Sequence, residues 1–126
     1  MNWSVVGAVL LALAVVIGAF GAHALRERLN AYANGIYERA VFYHFVHALG
    51  LLAVGIASRA GAASAVFASS AGWLLLTGIV IFCGSLYALA LTGNRKLGAL
   101  TPLGGLAFVA GWCTFAAALV SEGPTR

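Results

Sequence analysis

Tyr37-Glu38-Arg39-Ala40-Val41-Phe42-Tyr43-His44-Phe45-Val46-His47-Ala48-Leu49-Gly50 opens a long apolar segment and loads its first turns with ionisable side chains. Such groups are costly inside a membrane-spanning helix. They therefore face a helix bundle or a watered cavity, and they mark candidate functional positions. On a helix Arg39, Tyr43 and His47 fall on one stripe at i, i+4, i+8, and His44 shares a face with His47 at i, i+3. Reading this stretch as the foot of a transmembrane helix decides the fold.

The rest of the composition agrees. The 126 residues are 63% hydrophobic and 8% charged, with a mean hydropathy of +1.01. A soluble domain carries about a quarter charged residues, so this chain has too little polar surface to cover itself in water. The net charge of +4 comes from seven Lys/Arg against three acids, grouped in the connections between apolar runs. That balance speaks for membrane orientation. No basic patch with interleaved aromatics is present, so no nucleic-acid partner is expected. Cys83 and Cys113 lie inside apolar runs, where a thiol behaves as a small hydrophobe.

Four runs are long enough to cross a bilayer, which takes about 20 apolar residues. Their expected bounds are 3–22, 37–57, 72–92 and 101–120. Ala22-His23-Ala24 has the small-x-small form of a signal-peptidase site, but no Lys or Arg precedes the run and the run is long for a signal core. The first helix is expected to be retained. Between the first two helices Leu25, Leu29, Tyr32 and Ile36 recur at helical spacing, which predicts a short amphipathic helix over about 25–33 lying in the headgroup plane. Asn34-Gly35 is expected to end it. Ser58 to Ala71 leaves the start of the third helix open. Gly93-Asn94-Arg95-Lys96 reads as a compact turn. Thr101-Pro102 reads as a cap followed by proline at the first helical position, and Ser121 to Arg126 as a polar tail. The fold class is all-α: an integral membrane bundle of four transmembrane helices plus the interfacial helix, in one domain.

Arg26, Arg28, Arg39, Arg95 and Lys96 border one side of this arrangement, and Arg59 and Arg126 the other. The Lys/Arg excess marks cytoplasmic loops, so both termini are expected outside. Helices in lipid associate through small residues. Gly18, Gly21 and Ala22 in the first helix, Gly84 in the third, and Gly104, Gly105 and Gly111 in the fourth are the expected contacts. GAFGAHAL (18–25) and GSLYALAL (84–91) align without gaps, a faint sign of a repeated helix pair.

GAFGAHAL, the Tyr43–His47 element, GSLYALAL and TPLGGLAFVAGW (101–112) together resemble the YgdD family of small four-helix membrane proteins. The likeness covers nearly the whole chain. It runs through His23, Glu38, Tyr43, His47, Gly84, Ser85, Tyr87, Thr101, Pro102, Gly104, Gly105, Gly111 and Trp112. The chain departs from that pattern at Tyr37, where Trp is usual, at His44, where Gln is usual, and at Cys83, where Ser is usual. The resemblance implies a multi-pass inner-membrane protein and supplies no activity.

At about 1.5 Å per helical residue, His47 and Trp112 both lie about 15 Å from the cytoplasmic end, with Tyr43, His44, Ser85 and Tyr87 shallower. His23, Glu38, Arg39 and Thr101 stand near the surface. These ten residues form the candidate polar cluster. A His47 ring pointing into the bundle, within hydrogen-bonding reach of Trp112, is expected from their matched depth. The plain account is hydrogen-bonded glue in a structural or interaction protein. The alternative is a pocket for a lipid, a quinone-like or another small molecule, with a proton or solute conduit behind it. No HExxH, GxSxG, phosphate loop or paired intramembrane carboxylates occur, so no enzyme, cofactor or metal is expected. The expected partners are membrane lipids, and a second copy of the chain through spare small-residue faces.

Overall fold

The structure, a computed structural model, describes residues 1–121. The tail beyond Ser121, with Arg126, lies outside the described residues. Among the described residues all regular structure is helical, and four helices are long and apolar enough to cross a membrane. We number them α1 (Trp3–Leu25), α2 (Ala31–Arg59), α3 (Ala65–Thr92) and α4 (Thr101–Ser121). The last turn of α1, Gly21–Leu25, and the middle of α3, Ile79–Cys83, are wound as π-helix. A 3-10 turn, Arg95–Ala99, leads into α4.

Local signals account for the ends. The Asn2 side chain accepts from Val5 N–H at 3.3 Å and starts α1. Gly93 closes α3 at φ 72°, a left-handed conformation that suits a residue without Cβ. Thr101 opens α4 with Pro102 in its first turn, as expected.

The connection between α1 and α2 is not as expected. No separate interfacial helix forms over 25–33; α1 runs to Leu25 and, after a turn, α2 already begins at Ala31. Asn30 sits at φ −71°, ψ 173°, and its side chain accepts from Ala33 N–H at 2.8 Å, so it caps a start where the periodicity suggested a continuation. Asn34 does not end a helix either. Its amide donates to the carbonyls of Arg26 and Leu29, both at 2.9 Å, and ties the turn to the first coil of α2. The apolar spacing itself is used: Leu25, Leu29 and Ile36 pack with Tyr37, Leu86 and Leu89 at this end of the bundle, while Tyr32 stays exposed under the Arg95 guanidinium at 5.0 Å. That contact brings the first and third connections together. The third helix starts at Ala65, one and a half to two turns before position 72.

Packing is sequential. α1 lies along α2, α4 along α3, and α2 against α3, while the backbones of α4 and α2 stay apart and meet through side chains. The glycines set these approaches. A Cβ on Gly7 would lie 2.5 Å from Leu52 N and 2.8 Å from Ala48 O. One on Gly104 would lie 2.7 Å from the Phe82 Cα, and one on Gly111 2.8 Å from Leu75 Cδ2. Gly18 would meet Val41 Cγ1 at 3.2 Å, and Gly21 faces the Tyr37 ring. Among the described residues two expected contacts are absent: a Cβ on Gly84 would meet nothing within 4 Å, and Ala22 is exposed. Gly105 makes a looser one, its Cβ 3.9 Å from the Phe82 ring edge. Gly84 turns outward because the close approach of α4 to α3 is made at the neighbouring Phe82. The aligned Gly18 and Gly84 therefore do unlike jobs.

Candidate functional site

Three side-chain hydrogen bonds join the helices in chain order. Tyr37 of α2 donates from its hydroxyl to the Ile17 carbonyl of α1 at 2.6 Å. His44 of α2 and Tyr87 of α3 pair through Nδ1 and the hydroxyl at 2.9 Å. Ser85 of α3 and Thr101 of α4 pair hydroxyl to hydroxyl at 2.7 Å, and Ser85 Oγ also lies 3.0 Å from the Phe82 carbonyl. Each consecutive helix pair thus has one polar link in the same half of the bundle. Bonds of this kind are worth about 0.6 kcal/mol on average in bilayers.

The expected single cluster therefore resolves into separate pairs. His44 and His47 are both buried, at 3% and 5% exposure, but they face different neighbours. His44 turns towards Tyr87, with its Nε2 sealed beside the Leu10 backbone of α1 and without a hydrogen bond. His47 turns towards α4. Its ring stacks on Phe108 at 3.5 Å between centroids and parallel to Tyr43 at 5.7 Å. The His47 Nδ1 lies 2.7 Å from the Tyr43 carbonyl. A carbonyl can only accept, so the proton sits on Nδ1.

The expected His47–Trp112 bond does not form. The rings meet at 5.8 Å and 56°, and the indole instead reaches over the bare backbone of Gly50, where a Cβ would lie 2.8 Å from its Cη2. The Tyr43 carbonyl takes only the Nδ1 proton, and the indole is drawn away from Nε2 by its seat over Gly50.

His23, Glu38 and Arg39 are exposed and take no part in these pairs. Glu38 instead shares with Arg26 and Asn34 a hollow of about 150 Å³ at the end of α1, floored by Gly18 and Gly21. Among the described residues no group of three His, Cys, Asp or Glu is placed to hold a metal ion.

The separation of the α2 and α4 backbones leaves a groove of about 570 Å³, lined by Tyr43, His47, Phe82, Pro102, Gly105, Leu106, Phe108, Val109 and Trp112. Phe82 and Phe108 are the aromatic wall residues that the sequence did not single out. In a chain this apolar a phenylalanine carries no mark of its own. The signal that existed was indirect: Gly50 and Gly78 leave room for Trp112 and Phe108 to lie flat.

The chain matches the family described as "Protein of unknown function (DUF423)" over residues 17–105. It is 47% identical over 108 residues to the UPF0382 membrane protein SSP2132 of Staphylococcus saprophyticus, covering 86% of this chain and 88% of that one. It is 43% identical over 117 residues to the UPF0382 membrane protein YwdK of Bacillus subtilis, covering 92% and 94%. No solved structure matches.

Proposed function

The chain belongs to the DUF423/UPF0382 family of membrane proteins of unknown function, and on that premise we propose that it is a structural or interaction protein of the inner membrane, with no chemistry of its own. The observation that carries this reading is the chain of links Tyr37–Ile17, His44–Tyr87 and Ser85–Thr101. Tyr37, His44, Tyr87, Ser85 and Thr101 are thereby engaged in holding neighbouring helices together. We take the YgdD-type proteins, whose motifs this chain shares, as part of the same group. Membrane lipids are the first partners, with Arg26 and Glu38 at the rim of the α1–α2 hollow facing headgroups. A second copy of the chain is the other.

Both termini lie outside the cytoplasm in this proposal, with residues 26–30 and 93–96 inside. The five-to-two division of Lys/Arg supports it. Asn94→Cys should resist a membrane-impermeant thiol reagent in intact cells and react once the cells are opened. Modification in intact cells would reverse the orientation.

If the links are glue, Tyr37→Phe and Thr101→Val should each lower thermal stability in detergent modestly, by about 0.6 kcal/mol. Removing a hydroxyl would do little else. A variant that keeps its melting temperature but loses a cellular phenotype would move the protein out of the structural class.

A further inference from the structure

We propose that the groove between α2 and α4 binds a flat, hydroxyl-bearing aromatic ring carried on an apolar tail, the quinol class of membrane-dissolved molecules. Its volume of about 570 Å³ falls within the range of about 300–1,000 Å³ usual for small-molecule sites. Tyr43, Phe82, Phe108 and Trp112 give it flat aromatic walls, and Gly105 leaves one side open.

What selects the ligand is the set of polar atoms that the protein leaves unanswered. The Nδ1 of His47 is committed to the Tyr43 carbonyl. Its Nε2 therefore carries a lone pair and needs a donor. Among the described residues that atom has no partner. Unlike the sealed Nε2 of His44, it is not closed off, and the His47 ring is 95% buried in the groove wall. Among the described residues the Tyr43 hydroxyl and the Trp112 indole N–H on the same walls are also without partners. The hydrocarbon interior offers no water to answer them, so each stays costly until a ligand does. A quinol ring matches the set: its hydroxyls donate to His47 and accept from Tyr43 and Trp112, while the ring stacks between the aromatic walls. A quinone accepts but cannot donate, and an acyl chain does neither. The site binds the reduced form more tightly, and its ligand enters sideways from the bilayer.

The test is anaerobic titration of the purified full-length protein in lipid nanodiscs with a decyl-substituted benzoquinol, its quinone and decanol, read by fluorescence quenching of Trp112. Trp3 and Trp73 pack on each other at the opposite end and do not report on the groove. Saturable quinol binding is expected, with the quinone on the order of tenfold weaker, because it leaves the buried acceptor unanswered. His47→Phe keeps the stacked ring and should erase the quinol preference. Gly105→Leu fills the groove while its Cβ meets the Phe82 ring only at an ordinary 3.9 Å, and it should abolish saturation without lowering the melting temperature. Should Gly105→Leu fail to fold, Val109→Trp, at a wall position 62% exposed, serves the same end. Equal affinity for quinone and quinol overturns the assignment of His47 as acceptor. Quenching that is the same in wild type and the filled variant, or decanol competing as well as the quinol, overturns the site.

Discussion

Gly104→Leu is expected to break the pairing of α4 with α3, whereas Gly84→Leu is expected to leave the bundle as it is. Both glycines stand in the same half of the bundle and look alike as small residues for helix contact. At Gly104 an added Cβ presses into the Phe82 backbone, 2.7 Å from its Cα, with no side chain able to move aside. At Gly84 there is nothing within 4 Å and the residue is exposed. Overpacking a tight contact typically costs about 1–3 kcal/mol, and a clash with backbone belongs at the upper end. The Ser85–Thr101 link lies beside this crossing, one turn before Gly104 on α4, and should be lost with it. Thermal unfolding of the two variants in detergent separates them; equal losses would show that α4 does not cross α3 at Phe82.

Gly7→Leu should have an effect of similar size on the α1–α2 pair. The crossing there is reciprocal. A Cβ added to Gly7 of α1 would lie 2.5 Å from Leu52 N and 2.8 Å from Ala48 O, and one on Gly55 of α2 would run into the backbone and hydroxyl of Ser4. Two glycines one helix apart let the backbones touch, and van der Waals contact is the main attraction available in lipid. A leucine at Gly7 forces α1 away over about two turns, and only Tyr37–Ile17 at the far end holds it. Unfolding should begin with α1, seen as early protease access to residues 26–30 while α3 and α4 stay folded. A single cooperative transition at the wild-type temperature would contradict this.

Much of this fold was legible in the sequence because lipid imposes a length and a composition on each crossing. The four apolar runs, the Gly93 turn and the Thr101-Pro102 start all follow from local rules. The stretch from Leu25 to Ile36 was misread for a physical reason: its apolar spacing belongs to a turn folded back over the start of α2, and only the Asn30 and Asn34 side-chain bonds distinguish this from a helix. Residue depth was legible as well, but partner choice was not. His47 and Trp112 do meet at the same level, yet the imidazole bonds the carbonyl four residues back, and Trp112 lies over Gly50. Gly111 was readable as a contact, and Leu75 fills it. Which of several glycines faces a neighbour depends on helix rotation, and neither Gly7 nor Gly55 stood out before the crossing was seen.

If the polar residues are links between helices, His44 and Tyr87 must be energetically coupled across α2 and α3. The measurement is a double-mutant cycle with His44→Leu, Tyr87→Phe and both together, read as unfolding free energy in detergent or bicelles. The account predicts a favourable coupling of about 0.6 kcal/mol, at most about 1.7, with each single change costing more than its share because it leaves the other group unpaired. Strictly additive losses would contradict it, since two residues 2.9 Å apart that do not couple are not holding α2 to α3.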